Sequence, residues 1–350
     1  MRSLERVRAL VAGQPVDHLA VQPVIMMFAA KHLGIPFIEY TRDGRKMAAA
    51  QSKLVHDFGI DCLLTCSDPA REVIDIAGEG SINWYEDQGP AIFEERAALI
   101  DKSRLSTFRV PDPLGGGRMH DRIKGIEAMH LEFGGEVSIV GWVEGPLALA
   151  AELRGLSRSM TDFVDDPGFM RDLLDFTAEV AVVYAEAQIQ SGADTIGMSD
   201  AAASMMGPKY YREFLFPRQL RVAESIRQAH PEVLVRLHMC GNTDPLIPQM
   251  KQLPVQIFEI DSPTNLSAAR AALGPSRVIL GNVSTITDML EGNPEQVYQA
   301  ARRCHQTCGK FHIVGTGCEV PPTTPNENLH ALARYSREHQ PNEFATGSDA

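Results

Sequence analysis

A histidine and a cysteine stand two residues apart in Leu237-His238-Met239-Cys240-Gly241. On a strand, residues two apart share a face, so His238 and Cys240 point the same way and Met239 points the other. An imidazole and a thiolate held together suit a borderline-soft divalent ion, above all zinc. Gly241 lets the backbone turn sharply just past the pair. Two ligands make a weak site. A third sulfur is offered by Gly315-Thr316-Gly317-Cys318-Glu319, at the end of a later apolar run, where flanking glycines let the loop fold inward. Three protein ligands with an open fourth position are the pattern of a catalytic rather than a structural zinc site. The plain alternative is a buried cysteine beside a satisfied histidine.

Carboxylates at similar positions are the acid–base candidates. Asp261 ends an apolar run, with Glu259 two residues earlier on the same face. Either can orient His238 or act as a displaceable fourth ligand, and Asp261 is the preferred candidate because it lies nearer the strand end. Glu144 in Trp142-Val143-Glu144-Gly145-Pro146 can hydrogen-bond a substrate or pin the surrounding loops. Asp200 ends another run, and its alternative role is a helix cap. Asn282, at a further run end, and the apolar pair Met26 and Met27 are candidates for contacting a cofactor; Met205 and Met206 are placed to line the same pocket. Cys304 and Cys308 lie one helical turn apart and are read as a packing face, Cys62 as core, and Cys66 as a packed strand end.

The elements that must position these residues are eight short apolar runs. They are His18–Met26, Ile60–Cys66, Val137–Glu144, Ala193–Asp200, Val233–Cys240, Val255–Asp261, Arg277–Val283 and Phe311–Cys318. Their richness in Val, Ile and Leu predicts strands buried on both faces. Helix-like segments alternate with them, including Arg45–Phe58, Asp162–Gln190, Pro208–Ala229, Pro294–Cys308 and Thr324–His339. Pro294 suits a first helical turn with Asn293 as its cap. Eight strands alternating with helices predict an α/β fold, a (β/α)₈ TIM barrel, whose chemistry sits at the C-terminal strand ends. The long stretch Asp68–Arg122 reads as an insertion after the second strand, with a hairpin around Ile74–Glu86 and a loop through Gly115, Gly116 and Gly117. The rival, a doubly wound open sheet, should carry a glycine-rich phosphate turn after the first strand, and Pro23-Val24-Ile25-Met26-Met27 has none. Residues 1–338 are expected to form one domain, followed by a polar, disordered tail over 339–350.

At 350 residues, 44% apolar and 22% charged, the chain is an ordinary globular sequence, not a disordered, collagen-like or coiled-coil one. No apolar run is long enough to span a membrane, and the N-terminus does not read as a secretory signal. With 33 basic and 45 acidic residues the formal charge is −12, which disfavours non-specific nucleic-acid binding. Six scattered cysteines do not make a disulfide framework, so the expected compartment is the reducing cytoplasm.

From about Ile139 to Ala333 the chain resembles the uroporphyrinogen decarboxylase superfamily, and within it the zinc-dependent corrinoid methyltransferases of the methylcobamide:coenzyme M methyltransferase type. The resemblance rests on Val143-Glu144-Gly145-Pro146, Ser191-Gly192-Ala193-Asp194, Ser199-Asp200 and Tyr211-Arg212-Glu213-Phe214. It continues through Leu237-His238-Met239-Cys240-Gly241, Leu280-Gly281-Asn282-Val283, and Gly317-Cys318 followed by Pro322–Asn328. It implies a (β/α)₈ barrel with zinc held by His238, Cys240 and Cys318. It also implies a corrinoid supplied by a partner protein, and a small-molecule methyl donor or a thiol or pterin acceptor. The arginine-rich segment with which true decarboxylases hold carboxylates is replaced by Pro23–Ala30, so porphyrinogen decarboxylation is not expected. Glu319 follows the distant cysteine where glycine is commoner, which points to an altered acceptor pocket. Two rival readings remain. A decarboxylase for another acid predicts convergent Arg or Lys, with Lys209, Arg212 and Arg236 as nearby candidates. A non-catalytic zinc- or corrinoid-handling protein predicts four saturating ligands.

Overall fold

The computed structural model describes residues 1–344. Seven strands form one all-parallel sheet in chain order: β1 (Cys62–Leu64), β2 (Ser138–Glu144), β3 (Thr195–Ser199), β4 (Leu234–Met239), β5 (Ile257–Ile260), β6 (Val278–Gly281) and β7 (His312–Ile313). Every residue in them is buried, as expected of strands covered on both faces. The strands are shorter than the apolar runs because the loops leaving them are buried too.

The first predicted strand, His18–Met26, is reduced to isolated parallel bridges at Val21–Val314 and Val24–Glu319. Its backbone is nevertheless bonded on both sides. Val314 N donates to Ala20 O, and Gln22 N donates to Val314 O, both at 2.8 Å. On the other side Asp61 N donates to Val21 O at 2.8 Å, and Val21 N donates to Asp61 Oδ2 at 2.8 Å. Arg6 Nη1 then neutralises Asp61 at 2.5 Å, so this junction at the strand N-termini is a buried ion pair.

Helices cover the sheet, and their ends follow local rules. Gly44–Phe58 is capped by Asp43, whose carboxylate accepts from Arg45 N and Lys46 N. Pro294–Cys308 is capped by Asn293 in a reciprocal box with Gln296. The single helix predicted over Asp162–Gln190 is two, Leu156–Asp165 and Pro167–Gln190. Pro167 disfavours helical geometry at Asp166, and Asp166 caps the second helix by accepting from Phe169 N at 3.2 Å. Within Pro208–Ala229 the turn Tyr211–Leu215 is π-helical, just before Pro217. The stretch after β1 holds a helix, Ala70–Ala77, and a two-stranded ribbon pairing Ile82–Asn83 with Ala91–Ile92. The hairpin thus lies further along than the expected Ile74–Glu86. Of the expected tail, Pro341–Phe344 form a 3₁₀ turn with Pro341 buried, and residues beyond 344 lie outside the described ones. Among the described residues no helix is long and apolar enough to cross a membrane.

Candidate metal centre

His238 lies near the end of β4, Cys240 just past it, and Cys318 past β7. The structure brings the three together. His238 Nε2 is 3.1 Å from Cys240 Sγ, the two sulfurs are 3.6 Å apart, and Cys318 Sγ is 3.9 Å from His238 Nε2. A tetrahedral zinc with ordinary bond lengths separates two sulfurs by about 3.8 Å, and a sulfur from an imidazole nitrogen by about 3.5 Å. The three edges of the triangle therefore match one face of such a polyhedron. Among the described residues no fourth His, Cys, Asp or Glu donor joins this group.

Two glycines allow the close approach. Gly241 has φ +82°, and a Cβ there would sit 2.8 Å from Ser204 Oγ. A Cβ on Gly317 would run into Ser262 N and lie 2.7 Å from Asp261 Oδ1, so only glycine lets the Cys318 loop pack on the end of β5.

Behind the imidazole is a buried ion pair. In the β4–β5 register His238 is the direct neighbour of Glu259. Glu259 Oε2 lies 3.2 Å from His238 Nδ1, off the N–H axis, and both carboxylate oxygens accept from Arg236, at 2.7 Å from Nε and 2.6 Å from Nη2. Burial opposes the charge on Glu259, but Arg236 and His238 outweigh it and hold the carboxyl down to about 2. Burial likewise opposes charge on His238, and the carboxylate of Glu259 with the Cys318 sulfur raise the ring to about 10. Contact with Cys240, against burial and with help from His238, holds Cys318 down to about 4, while the same contact and burial push Cys240 upward. The cluster thus already stabilises sulfur anion beside nitrogen cation, the charge separation a cationic metal would take over.

Other expected residues fall into two groups. Asp261 accepts from Gly241 N at 2.7 Å and from Ser262 N at 2.6 Å, so it fixes the turn that carries Cys240. It is Glu259, not Asp261, that faces the imidazole. Asn282 donates to the carbonyls of Asp261 and Thr264, at 3.2 Å each, and so ties β6 to the loop after β5. Asp200 is fully buried. Its Oδ1 accepts from Leu147 N and Ala148 N at 2.9 Å, capping helix Pro146–Arg154, and its Oδ2 accepts from Gln219 at 2.7 Å. Glu319 caps helix Met27–Leu33 through Met27 N at 2.8 Å.

Beyond Trp142 and Ser199, which neighbour His238, is a cavity of about 460 Å³ that His238, Cys240 and Cys318 do not themselves line. Its wall includes Met26, Cys66, Trp142, Glu144, Ser199 and Met205. Met27 and Met206 are not part of it, and Met27 instead borders a separate depression with Lys31 and Pro36. The Trp142 ring lies 6.1 Å from the His238 ring, and Ser199 is His238's neighbour across β3–β4. Glu144 Oε1 accepts from Arg71 at 3.3 Å; burial and the nearby Glu72 raise its carboxyl well above the usual range. Sequence reasoning missed the cavity residues Glu94 and Glu152, which carry no motif, and Arg236, a candidate cation for the rival decarboxylase reading, instead serves the buried Glu259.

The uroporphyrinogen decarboxylase (URO-D) family model matches residues 2–339. The chain is 26% identical to a methylated-thiol–coenzyme M methyltransferase of Methanosarcina mazei, across 97% of this chain and 90% of that one. It is also 26% identical to the methylcobamide:CoM methyltransferase MtbA of the same organism, across 96% and 98%. A solved structure of a methyltransferase from Methanosarcina mazei superposes with a TM-score of 0.87 at 23% identity, covering 97% of this chain and 99% of that one. The fold is shared at full length, and the chain belongs to the uroporphyrinogen decarboxylase family.

Proposed function

We propose that this protein is a zinc-dependent methyltransferase that moves a methyl group between a corrinoid, carried by a separate partner protein, and a thiol or a methylated small molecule. The observation that carries the reading is the triangle of His238, Cys240 and Cys318, backed by the buried Glu259–Arg236 pair. The printed names of the full-length relatives support the corrinoid side of the reaction.

The curled sheet is read as a (β/α)₈ barrel over residues 1–338, with residues 20–24 as its eighth stave between β7 and β1. The cluster then lies on the β4–β7 side of the C-terminal mouth and the cavity on the β1–β3 side, where barrel enzymes do their chemistry. His238, Cys240 and Cys318 would hold the zinc, which would supply Lewis acidity for a substrate thiolate or a methylated donor. Glu259 fixes the imidazole so that Nε2 faces the sulfurs, Asp261 fixes the Cys240 turn, and the cavity gives the small molecule a seat beside them.

A decarboxylase needs cationic groups converging on an acid. Lys209 and Arg212 are exposed, and Arg236 is tied to Glu259. Elemental analysis of the purified protein tests the reading: one zinc per chain, lost in His238→Ala and Cys318→Ser but kept in Cys304→Ser. A wild-type protein without a soft divalent metal after zinc-replete expression sinks it.

A further inference from the structure

We infer that the small-molecule substrate carries its own positive charge: an ammonium-bearing thiol, sulfur toward the His238–Cys240–Cys318 cluster and nitrogen among the carboxylates of the adjoining cavity. This deepens, and rests on, the methyl-transfer reading above.

The argument is the charge of the cavity. Four carboxyls line it, Asp68, Glu94, Glu144 and Glu152, and among the described residues no lysine or arginine does. Three guanidiniums stand by the wall, already engaged: Arg118, Arg71 and Arg158. Arg118 Nη2 holds Asp68 Oδ2 at 2.9 Å, and Arg71 is shared between Glu72 at 3.5 Å and Glu144 at 3.3 Å. Glu94 Oε1 accepts from Ser157 N at 2.9 Å and from its hydroxyl at 3.1 Å, and these contacts hold the Glu94 carboxyl below its usual range, so it stays ionised. Arg158 donates to the Glu94 carbonyl, and its charge also helps hold that carboxyl down, so with Glu72 included five carboxyls face three guanidiniums.

Two of these acids lack a full set of partners. Glu144 is only 7% exposed, lines the cavity, and engages Arg71 through Oε1 alone. Glu152, partly exposed, borders the same space, and its carboxyl belongs to none of the ion pairs or hydrogen bonds among the described residues. Burial, with Asp68 nearby, raises Glu152 to about 7. Glu144 shares Arg71 with Glu72 and Glu152 has no cation of its own, so a bound ammonium relieves both. A thiol sulfonate or thiol carboxylate would meet like charge there. Apart from Ser199 the rest of the wall is largely apolar, with Met26, Ile92 and Leu156 suited to a carbon spacer, and Trp142 offers an aromatic surface to a cation. Trp142 and Ser199 border both the cavity and His238, so the two ends share one wall.

In the transfer, the thiol sulfur supplies the electron pair of the new S–CH₃ bond. The pair of the broken Co–CH₃ bond stays on cobalt, taking the partner's corrinoid from Co(III) to Co(I), and the thiol proton is released. The cavity acids take no part in bond making; they set which thiol arrives.

The test is direct binding. The protein is loaded with Co(II) and titrated at neutral pH with aminoethanethiol, mercaptoethanol and mercaptoethanesulfonate, following the thiolate-to-cobalt absorption and correcting for each free thiol's ionisation. The expected order is aminoethanethiol tightest, by about tenfold over the neutral thiol, with the sulfonate weakest. Glu152→Gln and Glu144→Gln each reduce the amine's advantage several-fold and leave mercaptoethanol binding and cobalt uptake in place. A sulfonate that binds as well as the amine, or a preference that survives both substitutions, overturns the inference while leaving the metal reading intact. Failure of cobalt to bind, or of every thiol to alter its spectrum, overturns the metal–thiol reading and the inference with it.

Discussion

Replacing Glu259 by glutamine should weaken zinc binding and protein stability by separable mechanisms. The carboxylate accepts two hydrogen bonds from Arg236 and faces His238 Nδ1, and all three side chains are buried. Removing its charge strands the Arg236 guanidinium in the core, and breaking a buried pair on one side costs about 3–5 kcal/mol. The second effect is on the metal. A partner behind a ligating histidine fixes the ring and raises its basicity, and losing one lowers metal affinity by about 10- to 100-fold. The double variant Arg236→Met with Glu259→Gln separates the two, because an uncharged pair of similar volume removes the stranded cation without restoring the carboxylate. Urea unfolding of the chelator-treated protein reads the first effect, and zinc competition against a chromophoric chelator reads the second. The double variant should regain most of the stability and none of the affinity. Wild-type zinc affinity in either variant would show that the carboxylate serves Arg236 alone, and would refute the role given to it at the metal centre.

Two further outcomes follow from buried polar groups away from the metal. His312 is fully buried, its Nε2 donating to Gly281 O at 2.7 Å and its Nδ1 without a partner; burial first, then neighbouring His305, push its pKa down to about 3 from an ordinary 6.5. The unfolded chain therefore takes up the proton first, so stability is lost as pH falls from 6.5 towards 3, by about 2 kcal/mol at about pH 5; His312→Gln should show that much less loss in urea unfolding, and an unchanged pH slope would contradict the assignment. Asp200→Ala removes two cap bonds to helix Pro146–Arg154 and strands Gln219, and should lower stability by about 2–4 kcal/mol, while Asp200→Asn costs less; zinc content of the folded protein should stay unchanged in both, and a lost zinc would place Asp200 in the metal site after all.

The His238–Cys240–Cys318 cluster was legible in the sequence because its signals are local. His238 and Cys240 share a face by strand periodicity, and the glycines around Cys318 announce a tight loop. Asn293 and Pro294 announced a helix start for the same reason, and Pro167 carried an equally local break that the apolar continuity of the flanking segments concealed. What faces His238 was not legible. Glu259 and Asp261 lie on one face of one strand, and the choice between them depends on the register of β5 against β4, a property of the whole sheet. Nor were Glu94 and Glu152 legible as cavity residues, since one comes from the segment after the ribbon and the other from a covering helix. Asp200 and Glu319 illustrate the converse. Acids at strand ends are as apt to cap the next helix as to do chemistry, and only the positions of Leu147 N, Ala148 N and Met27 N decide it.

The two halves of the site carry different electrostatic tasks. Two thiolates and a neutral imidazole would balance the charge of a divalent ion held there, so the proposed metal half would be close to neutral. Its support is neutral as well, because Glu259 and Arg236 form a buried pair that cancels at a distance. The cavity half is not balanced, with its acids outnumbering the guanidiniums behind them. Substrate charge is therefore sensed where the field is strong, while the bond-making end stays soft and indifferent to it. Such a division lets the cavity wall change its preference by substituting single residues, such as Glu152, that touch neither the metal ligands nor the pair that orients them.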